Sequence, residues 1–196
     1  ISHLRRLVIP IGKEGKNTKI RQIHASQWGF ICPPETPEGQ SSGIVKNFAN
    51  MTNISIKVPN LLIKTVFESI KTIKPIEEFK TIDQQDGLCC HKLVDYFKVM
   101  LNGIWYGITN VPEKTRLELI SSRTRGVIPS SVSISVNIRD REILVYCDEG
   151  RMLRPVFKLD NHGKLLLTDE DIANNIGWND LIRKQYIKYI DSYEVE

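Results

Sequence analysis

An α+β fold divided among several small mixed domains follows from three features of the sequence. SVSISVNI (131–138) alternates strictly between polar and apolar residues, as a strand with one face on a core does. Asn102-Gly103 separates two strand-like runs, the signal of a type I′ hairpin. NLLIKTVFESIK (60–71) places Leu62, Ile63, Val66, Phe67 and Ile70 on one helical face. At 196 residues, 41% hydrophobic and 26% charged, the chain has ordinary globular composition and room for one large domain or two to three small ones.

The elements follow in order. Residues 1–58 are rich in glycine, proline and basic residues, and IGKEGKNTK (11–19) reads as an exposed loop. Asn60 is expected to cap the helix 60–71 and Pro75 to stop it, with a linker over 75–90. KLVDYFKVMLNGIWYGIT then supplies the hairpin. Pro112 opens a helix through PEKTRLELISSRTR, and Gly126 ends it.

In 131–138 the alternation turns Val132, Ile134, Val136 and Ile138 inward, and Ser131, Ser133, Ser135 and Asn137 outward. ILVYC, the turn Asp148-Glu149-Gly150 and RMLRPVF read as a second hairpin, so this region is a small sheet carrying one helix. From about 158 the pattern is incomplete. Thr168 and Asp171 have capping-box-like spacing, and NDLIRKQYIKYID reads as a short helix entering a strand whose partners are expected beyond Glu196.

Charge is uneven along the chain. Residues 1–30 hold six Lys/Arg (Arg5, Arg6, Lys13, Lys16, Lys19, Arg21) against Glu14 alone, whereas 160–196 hold eight acids against four bases. A basic head suggests a polyanion near the first segment only. No apolar run approaches the roughly 20 residues of a membrane span, so no membrane partner is expected. Cys32, Cys89, Cys90 and Cys147 lack CxxC spacing and read as reduced structural thiols of an intracellular protein. Isoleucine occurs 26 times and alanine three times, a skew that fits an A/T-rich genome.

Several catalytic motifs fail on spacing. GKEGKNT has two residues between Gly12 and Gly15, where a phosphate loop needs four. Glu35 and Glu38 follow Pro34 and Pro37 on no helix that would align them as an acid–base pair. His24 reads as a structural histidine. No DxD-like spacing marks a Mg²⁺ site. Neither a catalytic residue nor a metal ligand is expected in this chain.

SHLRR (2–6), PIGKEGKNTK (10–19), RQIHASQWGFICPPETPEGQSSGIVKN (21–47), LNGIWYGI (101–108), RDREILVYCDEGRMLRPVF (139–157) and YIKYID (186–191) occur in this order. Together they closely resemble the second-largest, beta-type subunit of multisubunit DNA-directed RNA polymerases. QWG and the Gln after ETPEG resemble the eukaryotic, archaeal and large-DNA-virus branch.

The resemblance implies that 1–58 is the end of the fork domain and 59–87 a helix and linker. It likewise implies the first external domain over 88–150 and the start of the second over 151–196. Lys13, Lys16 and Lys19 would form the second fork loop, meeting nucleic acid at the downstream edge of the bubble. Arg21, Glu38 and Gln40 would lie together near the bridge helix of the largest subunit and support the active centre. Mg²⁺ would be bound mainly by that largest subunit and not by this fragment. Partners would be the other polymerase subunits, template and non-template DNA, and RNA. SSRTRG departs from the more basic run common in the family, which weakens a nucleic-acid role for Arg123 and Arg125.

The expected function is therefore DNA-directed RNA synthesis within an assembly, with the fragment alone inactive. The location would be the nucleus, or the cytoplasm or virion if the gene is viral. A stand-alone single-stranded nucleic-acid-binding module and a purely structural scaffold of the polymerase are the alternatives.

Overall fold

The structure, a computed structural model, describes residues 2–10, 18–76, 96–160 and 162–195. Lys13, Lys16, Cys89, Cys90 and nearly all of the expected linker lie outside the described residues. The elements are β1 (Arg6–Val8), β2 (Val45–Asn47), β3 (Asn53–Ile54), α1 (Asn60–Ser69), β4 (Lys74–Pro75), β5 (Phe97–Leu101) and β6 (Ile104–Thr109). There follow α2 (Pro112–Thr124), β7 (Ser133–Asn137), β8 (Glu142–Tyr146), β9 (Met152–Phe157), α3 (Asp169–Ala173), α4 (Trp178–Arg183), β10 (Ile187–Ile190) and α5 (Ser192–Val195). This is the mixed α+β architecture that the sequence pattern implies.

The central sheet has strand order β4-β6-β5-β8-β7, with β5 and β8 parallel and its other pairs antiparallel. Asn102 (φ 48°) and Gly103 (φ 79°) make the two-residue turn of the β5–β6 hairpin, because a type I′ turn needs positive φ at both positions. At the end of α2, Gly126 N–H donates to the Arg123 carbonyl and Val127 N–H to the Ser122 carbonyl. That is a Schellman closure around a glycine at φ 78°.

The sheet's inner face (Val99, Leu101, Ile134, Ile143, Val145) shares one core with Ile63, Val66, Phe67 and Ile70 of the α1 segment and Leu119 of α2. Among the described residues two helices therefore cover the sheet, where one was expected. Leu62 remains 39% exposed, a correction to the expected face. It sits about 90° round from the middle of the buried stripe at 3.6 residues per turn.

Three further expectations about α1 and β7 are corrected. Pro59, not Asn60, occupies the helix N-cap position. The Asn60 side chain turns away, its Oδ1 accepting from Asn102 Nδ2 at 3.0 Å and from the Cys147 thiol at 3.2 Å. The α1 helix ends before Pro75, which lies in the edge strand β4, where a missing N–H costs little. In β7 the alternation holds for Val132 and Ile134. Ile138, however, is 78% exposed in the following turn, and Ser133 is buried. Its hydroxyl donates to Asp191 Oδ1 at 2.8 Å, because the C-terminal segment covers that side of the sheet.

The expected second hairpin does not form. β8 stays in the central sheet, whereas β9 lies between β10 and β3 in a separate antiparallel sheet. Buried Ser55 explains the crossing. Its N–H donates to the Arg151 carbonyl, its carbonyl accepts from Gly150 N–H, and its hydroxyl bridges Asp148 O and Arg151 N–H, all at 2.9–3.1 Å. The turn is thus spent on β3 rather than on closing β8 onto β9. β10 finds one partner within the chain, Lys188 opposite Val156.

Buried ion pairs join the two sheets. Arg123 meets Glu194 at 2.5 Å, Lys188 meets the same carboxylate at 2.8 Å, and Arg151 meets Asp191 at 2.8 Å. The Arg123 and Arg151 side chains are only 6% and 10% exposed, so each charge needs its partner. No helix among the described residues is long and apolar enough to cross a membrane.

Candidate nucleic-acid interface

The irregular run from Lys19 to Asn47 is shaped by capture of backbone groups. Lys19–Arg21 forms one 3-10 turn and Gly39–Ser41 another. Half-buried Arg21 joins them. Its Nη1 donates to the Gln40 carbonyl at 2.7 Å and to the Ser42 carbonyl at 2.6 Å. Gly43 is at φ 72°, and a Cβ there would lie 2.5 Å from the Arg21 carbonyl oxygen and 2.6 Å from its Cα. Glycine at this position therefore permits contact between two backbones.

Thr36 braces the loop from inside. Its hydroxyl donates to the Val45 carbonyl at 3.0 Å and accepts from Gly43 N–H at 2.8 Å. Asn47 adds a bond from Nδ2 to the Glu35 carbonyl at 3.2 Å. β2 is buried throughout, and its partner β1 sets Leu7 opposite Lys46. On this footing every residue from Pro33 to Gln40 is exposed, Glu35 and Glu38 included.

The sequence-derived candidates separate as follows. Arg21 and Gln40 are brought together, through Gln40's carbonyl rather than its side chain. Glu38 immediately precedes the 39–41 turn with an exposed side chain. Lys19 opens the 19–21 turn and is exposed. Lys13 and Lys16 lie outside the described residues. His24 is a local cap, its Nδ1 accepting from Ser26 N–H at 3.2 Å. Arg123 is committed to the buried pair with Glu194, which accounts for a basic residue there without nucleic acid.

The sequence reading missed an apolar surface beside the loop. Trp28 is 75% and Ile23 67% exposed, and they line a groove of about 350 Å³ with Pro33 and Ala49. The available signal was a large aromatic, Trp28, directly before Gly29. Phe30 is buried under the Arg154 guanidinium, 5.3 Å from the ring centre, which ties this segment to β9. Among the described residues no three or more His, Cys, Asp or Glu converge as a metal site would require.

Comparison with known families bears directly on this segment. Residues 1–54 match RNA polymerase Rpb2, domain 3, and residues 99–160 match RNA polymerase Rpb2, domain 4, in chain order and over more than half of the sequence. The chain belongs to the family of second-largest RNA polymerase subunits. All of it aligns, at 39% identity over 204 residues, with DNA-directed RNA polymerase II subunit 2 of Arabidopsis thaliana, of which it covers 16%. It is 34% identical over 203 residues to subunit Rpo2 of Saccharolobus shibatae, covering 18% of that protein. A probable RNA polymerase II subunit RPB2 homolog of Invertebrate iridescent virus 6 is 34% identical over 199 residues and covered to 16%. The chain thus spans about a sixth of the length of these curated relatives. Eukaryotic, archaeal and viral relatives are the branch that QWG and ETPEGQ resemble.

Proposed function

We propose that the chain is part of the second-largest subunit of a DNA-dependent RNA polymerase and helps to transcribe DNA into RNA within the assembled enzyme. In this reading residues 18–50 form the fork side of the active-centre cleft. The observation that carries it is the clamp of Arg21 onto the Gln40 and Ser42 carbonyls, closed by Gly43. It presents an exposed loop in fixed shape, which a cleft wall needs and a passive linker does not. The other polymerase subunits, DNA and RNA are the proposed partners. The proposed setting is the nucleus, or the cytoplasm or virion for a viral gene.

Lys13, Lys16 and Lys19 attract the downstream strand through its phosphates without reading bases. Arg21, Glu38 and Gln40 act through protein. Arg21 holds the loop that carries Glu38 and Gln40, through the Gln40 and Ser42 carbonyls. Mg²⁺, which would stabilise the charge of the transferring phosphoryl group, belongs to the largest subunit in this reading. The isolated chain is accordingly expected to make no RNA from template, nucleotides and Mg²⁺.

The test uses the assembled polymerase. Lys13→Ala with Lys16→Ala and Lys19→Ala should flatten the salt dependence of DNA binding, by at most about one unit of slope per lysine. Arg21→Ala should leave that slope unchanged and alter single-nucleotide addition rates. The reverse pattern would exchange the two assignments. A stand-alone single-stranded nucleic-acid-binding module would instead bind oligonucleotide as the separate chain, with the same lysines setting its salt slope. A pure scaffold would show neither effect.

A further inference from the structure

We propose that the groove between the C-terminal end of α2 and the α4–β10 segment is a docking site for an acidic peptide with an apolar anchor. The groove encloses about 510 Å³ and has two chemical faces. Its floor is aliphatic, from Ile120, Ile128 and Ile182, and its walls carry Arg123, Arg125, Lys158, Arg183 and Lys188. Among the described residues no carboxylate lines it. Glu194 engages Arg123 and Lys188 from behind, and Asp180 lies 3.9 Å from Arg183. Among the described residues, five cations against two carboxylates leave a positive surplus facing the groove.

Lys158 registers that surplus. Burial, followed by the charges of Arg123 and Lys188, holds its ammonium below the ordinary lysine range. Its visible partner is a neutral oxygen, Gln185 Oε1 at 3.1 Å. A carboxylate entering the groove would supply the missing counter-charge. The apolar floor requires an occupant that also buries hydrocarbon.

These features favour a peptide over nucleic acid. Among the described residues Tyr189 is the one aromatic ring in the lining. Its hydroxyl is fixed by Trp178 Nε1 at 3.1 Å and Asn53 Nδ2 at 3.2 Å. An aliphatic floor offers bases no stacking platform, whereas a Phe or Leu flanked by Asp and Glu meets both faces.

The probe is the peptide DDEFLDDE, with a photo-crosslinking phenylalanine, added to the full-length protein in its native assembly. Cross-links should fall within residues 120–130 and 182–189. Arg125→Glu with Arg183→Glu should weaken binding at least about tenfold, since each lost pair is worth up to about fivefold and reversal adds repulsion. Both side chains are exposed, so the melting temperature should fall only slightly, from acids placed at two helix C-termini, and Lys164→Glu elsewhere on the surface should bind as the parent does. The amide peptide NNQFLNNQ should also bind at least about tenfold more weakly. Equal binding of the amide peptide, or cross-links elsewhere, would overturn the proposal. So would an oligo(dT) strand that displaces the peptide and loses affinity in the same double variant, which would make the occupant nucleic acid.

Discussion

The loop from Lys19 to Asn47 and the sheet from Phe97 to Tyr146 are held together by opposite means. Along β5 and β8 alternate side chains are buried, and Val99, Ile143 and Val145 are wholly inaccessible. Position is set by side-chain volume, and the backbone bonds follow from the ladder. In the loop, eight consecutive residues, Pro33 to Gln40, are exposed. Their course is set by Arg21, Thr36 and Asn47 taking backbone oxygens, and by a glycine that lets two backbones touch. A sheet of this kind tolerates exchange of one aliphatic residue for another. A loop built on backbone capture tolerates little at its few anchors and much between them.

The contrast is broken most forcefully in the core. Phe67 is 0% exposed and tilted against Tyr106, with ring centres 4.9 Å apart. Phe67→Ala should cost about 3–5 kcal/mol, read by chemical denaturation, and lower hydrogen-exchange protection throughout β5, β6 and β8. A cost below about 1 kcal/mol would mean that α1 is not integral to the sheet's core.

Gly43→Ala probes the loop. Left-handed strain and overlap with the Arg21 backbone should together cost about 2–4 kcal/mol. Protection should fall over 40–45 while β5 and β8 keep theirs. Gly39 has a similar φ of 78° but open space around its missing Cβ, so Gly39→Ala carries only the strain. Equal effects of the two glycine variants would remove backbone contact as the loop's anchor.

Much of this difference was already readable in the residues. Period-two alternation located Ile134 in the core, and Asn102-Gly103 located the hairpin, because both signals depend on neighbours in sequence. Ser133 defeated the same alternation, since its burial depends on Asp191, 58 positions on. The false hairpin after β8 has the same origin: Ser55, distant in sequence, takes the turn's hydrogen bonds. In the loop, resemblance singled out Arg21 and Gln40. Nothing in their spacing could say that Arg21 would seek Gln40's carbonyl.

The hairpin turn offers an intermediate effect. Asn102 Oδ1 accepts from Cys147 N–H at 2.8 Å, and Asn102 holds φ 48°. Asn102→Ala loses that bond and adds left-handed strain, for an expected cost of about 1–2 kcal/mol by chemical denaturation. Asn102→Gly keeps the backbone freedom and loses the bond, so it should be the milder variant. If Ala and Gly destabilise equally, the side-chain bond rather than the turn conformation sets the cost.

The smallest effect is expected outside both regions, at a helix cap that depends on neither core burial nor a distant backbone. Thr168 and Asp171 form the reciprocal capping box of α3. The Thr168 hydroxyl donates to Asp171 Oδ2 at 2.7 Å, and the Tyr186 hydroxyl donates to the same oxygen at 3.1 Å. These bonds, the Thr168 one foremost, hold the Asp171 carboxyl below the ordinary aspartate range. A carboxyl depressed by folding contributes stability above its unfolded pKa and loses it as pH falls through its folded value. The cap should therefore be intact at neutral pH and weaken only below the ordinary aspartate pKa of about 4. A carboxyl-carbon NMR titration should place the Asp171 midpoint below the ordinary aspartate value of about 4. Asp171→Asn should remove that part of the acid dependence of melting while leaving the response of Gly43→Ala to pH unchanged. An Asp171 midpoint at or above that ordinary value would mean that the two hydroxyl bonds are not kept in solution, and the cap would then rest on the Thr168 side chain alone.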